Sequence, residues 1–243
     1  IRYFRNRLPA AGVEVRLNTR VSADEIDEAN FDHVIVATGV TPRVLDVEGA
    51  DGANVITYMD ALTDAKPVGK RVAIIGAGGI GFDVAEYLSS PHSSPVSIDS
   101  FLDHWGIDRA HETAGGVGEP ARPAPERSIV MLQRSDSRPG KTLGLTTGWV
   151  VRAELKSRGV RNITGATYTK IDGEGLHIRV GGEDQLIEAD TIVVCAGQES
   201  ENRLFTELHS RNVRATLIGG AEKSAGLDAL RAIRQGTETA LSL

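Results

Sequence analysis

Residues 71–88 read RVAIIGAGGIGFDVAEYL, an apolar run, a glycine-rich hexapeptide and then a helical pattern. Few folds accommodate that order. Arg71 to Ile75 is short and apolar, as expected of a strand buried on both faces. Phe82 to Leu88 carries the 3.6-residue apolar spacing of an amphipathic helix. Between them, G-x-G-x-x-G is met at Gly76, Gly78 and Gly81. Gly76 permits a tight turn out of the strand, Gly78 lets a pyrophosphate approach the backbone, and Gly81 lets helix and strand pack closely. The helix N-terminus adds free N–H groups and the positive end of its dipole. The motif alone is a weak signal. Flanked by strand and helix it points to dinucleotide binding, against a purely structural turn.

The rest of the chain extends this into an α/β protein with a parallel, Rossmann-type sheet. Phe31 to Ala37, Ser128 to Arg134, Thr191 to Ala196 and Val213 to Ile218 read as further strands, and Val13 to Leu17 alternates as a strand would. Residues 2–11, 58–64, 150–158 and 227–241 read as helices. Residues 163–189 alternate around Asp172-Gly173 and Gly181-Gly182, the pattern of a small antiparallel meander. VIVATG (34–39) and IVVCAG (192–197) repeat one pattern, a buried strand ending in small residues at Gly39 and Gly197. Two such strands bracketing a Rossmann unit suggest one such domain nested in another. Pro67 to Lys70 resets the chain before the inner one.

The residue that selects between dinucleotides is expected about 20 positions after the glycine turn. Asp99, after Val96-Ser97-Ile98, would hold a ribose 2′-hydroxyl. Arg134, after SIVMLQR, would hold a 2′-phosphate. Arg134 lies 58 residues beyond Gly76, and removing the irregular 37-residue insert 91–127 leaves 21. The strand before Arg134 is also longer and more apolar. With Arg138 and Lys141 nearby, the second reading favours NADPH. Against it stands a plain solvated cationic face.

Other classes are disfavoured. Net charge is −6, with an isoelectric point near 5.6, unlike a protein that coats nucleic acid. One cysteine excludes a disulfide framework and any multi-cysteine zinc or iron–sulfur site within this chain. Cys195, mid-strand, reads as a core thiol. No apolar run approaches the ~18–20 residues of a membrane span. His92, His104 and His111 are irregularly spaced and suggest no metal site. Trp105 and Trp149 read as packing residues, with Trp149 also placed to meet a cofactor ring. Gly219-Gly220 precedes a helix start and offers a second possible phosphate or flavin contact.

The stretches VAIIGAGGIGFDVAEYLS (72–89), FLDHWGID (101–108), IVMLQR (129–134), TTGWVVR (146–152), VVCAGQE (193–199) and LDALRAIRQGT (227–237) carry a family resemblance over nearly the whole chain. It resembles the C-terminal part of the bacterial NADPH-dependent 2,4-dienoyl-CoA reductases, in the old-yellow-enzyme and trimethylamine-dehydrogenase group. The resemblance implies an NADPH-binding domain at 67–197 inserted into a partial FAD-binding domain at 1–66 and 198–243. Gly76 to Gly81, with Gly79 and Ile80 among them, would hold the pyrophosphate. Arg134 and Ser135, with Arg138 close by, would hold the 2′-phosphate, and Trp149 would sit near the reacting rings. Val21, Ala37, Thr38, Gly39, Gly220, Leu227, Asp228, Ala229 and Leu230 would line FAD, with Gly197 at the matching strand end.

The resemblance further implies a longer, cytoplasmic protein. Its preceding β/α barrel, the partner of this chain, would hold FMN, an iron–sulfur cluster and the catalytic residues, and would receive the acyl-CoA. The insert 91–127 is expected to pack against that barrel. No acid or base is assigned here, since the cofactors supply the chemistry. The chain departs from the family at Leu145, where a lysine is frequent, and at Ala221-Glu222, where many flavoproteins have an aspartate. No G-x-G-x-x-G precedes residue 70. Two alternatives stand beside this reading: a related NADPH–flavin enone or ferredoxin-type reductase, and a nucleotide-binding structural module without turnover.

Overall fold

The computed structural model describes residues 1–90, 97–122 and 124–243. The chain divides into two compact units, 42–197 and 1–41 with 198–243. Chain order opens with α1 (Arg2–Ala10), α2 (Ala23–Ala29), β1 (Val34–Val36) and β2 (Val40–Pro42). It continues with β3 (Val55–Thr57), α3 (Tyr58–Leu62), β4 (Arg71–Ile75), α4 (Gly79–Ser89), α5 (Ile98–Trp105), β5 (Ser128–Leu132), α6 (Gly148–Ser157) and β6 (Arg161–Ile163). Then come β7 (Thr167–Asp172), β8 (Gly175–Val180), β9 (Glu183–Glu188), β10 (Thr191–Val194), β11 (Gln198–Ser200), α7 (Arg203–Ser210), β12 (Ala215–Leu217) and α8 (Ala229–Ser242).

In the inner unit, β3, β10, β4, β5 and β6 form a five-stranded parallel sheet in that order. Apart from Thr191 at the start of β10, the buried positions of its central strands are apolar because both faces are covered. Val72 and Ile74 of β4, with Ile129 and Met131 of β5, turn to one face and pack on Phe82, Val84 and Leu88 of α4 and Leu155 of α6. The alternate residues Ala73, Ile75, Val130 and Leu132 turn to the other face. There they meet Ile171, Leu176, Ile178 and Ile187 of the antiparallel sheet β7-β8-β9. Each fully buried side chain of this size stabilises the fold by roughly 1.5–3 kcal/mol. Arg71 clips β4 to the start of β10: its Nη2 lies 2.6 Å from Asp190 Oδ1, while Asp190 Oδ2 accepts the Lys70 and Arg71 N–H groups at 3.1 and 2.8 Å.

The outer unit is thinner. Among the described residues β1 pairs only with β12, in parallel, and β2 pairs with β11. Ala23, Ile26, Val36 and Leu208 form its buried cluster, with α2 and α7 contributing. Ser22 and Glu25 close a capping box on α2, whereas α1 and α8 bury no residue.

Several expectations need correction. Val13 to Leu17 is not a strand, and its apolar residues are exposed, because alternation without a partner strand has no ladder to join. The inner unit begins at Pro42, not at Pro67: β3 hydrogen-bonds to β10, and α3 packs Tyr58 and Ala61 into the α4 side of the sheet. Val96-Ser97-Ile98 belongs to the rival placement of the selecting residue, at Asp99. Val96 lies outside the described residues, as does His92, and Ser97 caps α5 by accepting the Ser100 N–H at 3.0 Å. Within the insert, α5 is anchored by His104, whose Nε2 lies 2.7 Å from Oε1 of the buried Glu154.

Candidate functional site

A cleft of about 370 Å³ opens at the C-terminal ends of β4, β5 and β10 in the inner unit. This is where ligands bind open α/β sheets. Gly76, Ala77 and Gly78 form one side, and Gln133, Arg134, Ser137, Arg138, Lys141 and Tyr168 contribute to the others. The three cations share this lining with no acidic side chain.

Two glycines of the turn are required by crowding. Gly76 has φ +116°, and a Cβ there would collide with the Cys195 carbonyl. A Cβ on Gly81 would collide with the Gly76 carbonyl, so this pair fixes how closely α4 packs on β4. Gly78, the N-cap of α4, would meet nothing within 4 Å. Its open side and the unpaired first-turn N–H groups of α4 form a cradle into which an anion fits. Cys195 lies below this turn, and burial pushes its thiol up to about 12, so it stays protonated.

The Arg134 loop is braced. Gln133 Nε2 donates to the Ser135 carbonyl at 2.9 Å and to that of Ser137, and the Gly165 N–H donates to Ser135 O at 3.2 Å. The loop carrying Arg138 and Lys141 is tied by the Gly140 N–H to Ala77 O at 2.9 Å and by Arg152 Nη1 to Gly140 O at 3.2 Å. Arg134 and Arg138 therefore share one cleft with the glycine turn, as the spacing argument requires. Asp99, the rival to Arg134, sits on α5 and pairs with Arg109 at 2.7 Å.

Other expected residues lie elsewhere. Trp149, at the start of α6, is 63% exposed and outside the cleft lining. Ser135 is exposed, with its hydroxyl 2.8 Å from Ser137 Oγ. Gly197 (φ +104°) lies just past β10 and lines neither this cleft nor those of the outer unit. Sequence reasoning missed Gln133 as a brace and Tyr168 as a wall. Gln133 carried no signal beyond its place at the strand tip. Tyr168 belongs to a different sheet, which only folding brings to the cleft.

In the outer unit two clefts share Ala37. One, of about 480 Å³, includes Val21, Ala37 and Thr38. The other, of about 520 Å³, includes Gly39, Gly220, Leu227, Asp228 and Ala229. Asp228 caps α8 by accepting the Arg231 N–H at 2.7 Å. Gly220 is required by crowding, since a Cβ would lie 2.8 Å from Val40 and 2.9 Å from Leu227. Leu230 is 67% exposed and lines neither cleft. Among the described residues, Asp172, Glu174 and His177 bring ligand atoms within 4.8 Å of one another, but the Lys170 ammonium already stands 3.4 Å from Asp172. No helix of the described residues is long and apolar enough to cross a membrane.

The comparisons with known proteins agree with this architecture. A family model described as pyridine nucleotide-disulphide oxidoreductase matches residues 10–216. An NADH oxidase from Thermoanaerobacter brockii is 34% identical over 232 residues, covering 91% of this chain and 30% of that protein. A cinnamate reductase from Clostridium sporogenes is 28% identical over 223 residues, covering 92% of this chain and 28% of that protein. Among solved structures, a 2-naphthoyl-CoA reductase superposes with a TM-score of 0.76 at 22% identity, over 100% of this chain and 31% of that one. The chain thus spans 28–31% of the length of these proteins.

Proposed function

The chain belongs to the pyridine nucleotide-disulphide oxidoreductase family, and from that premise we propose that it is the NADPH-accepting, FAD-reducing portion of a flavin-dependent reductase. One observation carries the reading: Arg134, Arg138 and Lys141 line the same cleft as the G-x-G-x-x-G turn, with no carboxylate among them. NADPH held there supplies a hydride to a flavin. The protein's own part is placement. The Gly78 side of the turn and the α4 N-terminus receive the pyrophosphate. Arg134 meets the 2′-phosphate in a charge-assisted contact, and Gln133 holds the loop that presents it. Such positioning lowers the entropic cost of bringing two rings into register.

In the outer unit, Val21, Ala37, Thr38, Gly39, Gly220 and Leu227 to Ala229 would serve FAD. The proposed reaction of the whole protein is reduction of 2,4-dienoyl-CoA to enoyl-CoA in unsaturated fatty acid oxidation. By the resemblance, FMN and an iron–sulfur cluster would lie in a preceding barrel; within this chain the lone cysteine, Cys195, is buried. The motif resemblance supports this substrate class, and similarity to a protein named cinnamate reductase supports the coarser reading, reduction of a conjugated C=C bond. The relative named NADH oxidase favours a second reading, in which NADH is the donor.

Titration calorimetry with NADPH and NADH separates the two. Arg134→Ala is expected to weaken NADPH binding by about 1–3 kcal/mol, the worth of a charge-assisted contact, and to leave NADH nearly unchanged. Equal losses for both nucleotides would refute the 2′-phosphate role.

A further inference from the structure

The cleft has a wall that neither the glycine turn nor the cations supply. Tyr168 comes from β7, where it faces Ile178 across the antiparallel pair, and its ring packs against the core cluster beneath the parallel sheet. The same side chain lines the cleft together with Gln133 and Arg134. Its hydroxyl has no hydrogen-bond partner among the described residues. Burial pushes the phenol up to about 12, with the Arg134 charge pulling the other way. The oxygen therefore keeps its proton at any physiological pH, and the guanidinium stands within electrostatic reach of it.

We infer that Tyr168 is a second specificity-determining residue, whose hydroxyl donates a hydrogen bond to the ribose 2′-phosphate that Arg134 also holds. The inference rests on the NADPH reading of the cleft and deepens it. A phosphate offers three acceptor oxygens and loses its water shell on entering the site, and the guanidinium of Arg134 alone does not serve them all. Arg138 and Lys141 already stand in the same cleft, so a further cation in the place of Tyr168 would add to the repulsion among them whenever the site is empty. A neutral phenol adds a donor without that cost. Its ring is already fixed by core packing, so little freedom is lost when the bond forms. A 2′-hydroxyl, being uncharged, gains much less from the same donor.

The test uses adenosine 2′,5′-bisphosphate and 5′-AMP as probes, titrated calorimetrically into the wild type, Tyr168→Phe and Arg134→Ala. The phenylalanine keeps the ring in the core, and an unchanged melting temperature confirms it. Tyr168→Phe is expected to weaken the bisphosphate roughly tenfold, the size of one charge-assisted hydrogen bond, and 5′-AMP less than about twofold. If Arg134→Ala discriminates between the probes and Tyr168→Phe does not, the tyrosine's role is overturned while the NADPH reading stands. If neither variant discriminates, or the wild type binds neither probe, both are overturned.

Discussion

VIVATG and IVVCAG are nearly one sentence, yet the protein buries them differently. Val193, in the middle of β10, has strands on both sides and is fully buried. Its counterpart Ile35, in the middle of β1, has, among the described residues, a strand on one side only and is 38% exposed. The two units differ in the same way. The inner one encloses its sheet between helices and a second sheet, whereas the outer one rests on a cluster of four buried side chains. An apolar strand ending in glycine therefore specifies a strand and a turn but not the depth at which it lies. Depth is set by neighbours.

The comparison can be broken by mutation. Phe82→Ala, in the helix-side core of the inner unit, should lower stability by about 3–5 kcal/mol in urea unfolding, the usual cost of emptying a buried aromatic site. The sharper test is the matched pair. Val193→Ala should cost about 2–3 kcal/mol, and Ile35→Ala less than about 1.5 kcal/mol although it removes more carbon, because that side chain is already part-solvated. Equal costs would mean that burial in the two units is energetically alike.

The glycines of the turn provide a second contrast. Gly81→Ala should destabilise by roughly 1–3 kcal/mol through overpacking against the Gly76 carbonyl. Gly78→Ala should leave the melting temperature nearly unchanged and weaken nucleotide binding, since its methyl group would stand in open space.

The smallest expected effect is on acid sensitivity. Hydrogen bonding to Arg71 holds the Asp190 carboxyl below its usual range. The folded value is then lower than the unfolded one, so the contribution is complete above the unfolded value and fades as pH falls through the folded one. Asp190→Asn should flatten the acid limb of the stability–pH curve, as followed by chemical unfolding between neutral pH and pH 3. An unchanged limb would show that the Arg71 clip is energetically silent.

What was legible in the sequence follows the same division. β4, β5 and β10 could be read because strands buried on both faces carry unbroken apolar runs, here behind Arg71, Ser128 and Thr191. Arg134 could be placed because spacing along one βαβ unit is a covalent property. Tyr168 could not, because a meander folding over the sheet delivers it, and no spacing rule crosses that gap. The start of the inner unit at Pro42 was hidden for a like reason. Pro67 looks like a boundary, while the pairing of β3 with β10 joins residues far apart in sequence. Val13 to Leu17 had the alternation of a strand without a ladder to join.

β2 and β11 run side by side where the chain enters and leaves the inner unit, and the Arg43 N–H donates to the Gly197 carbonyl at 3.1 Å. The two ends of the 42–197 segment are thus zipped together like the stem of a cassette. Such a piece can be lifted out, its host closed with a short splice between Thr41 and Gln198, or exchanged for a counterpart of altered coenzyme preference, without re-routing any other strand.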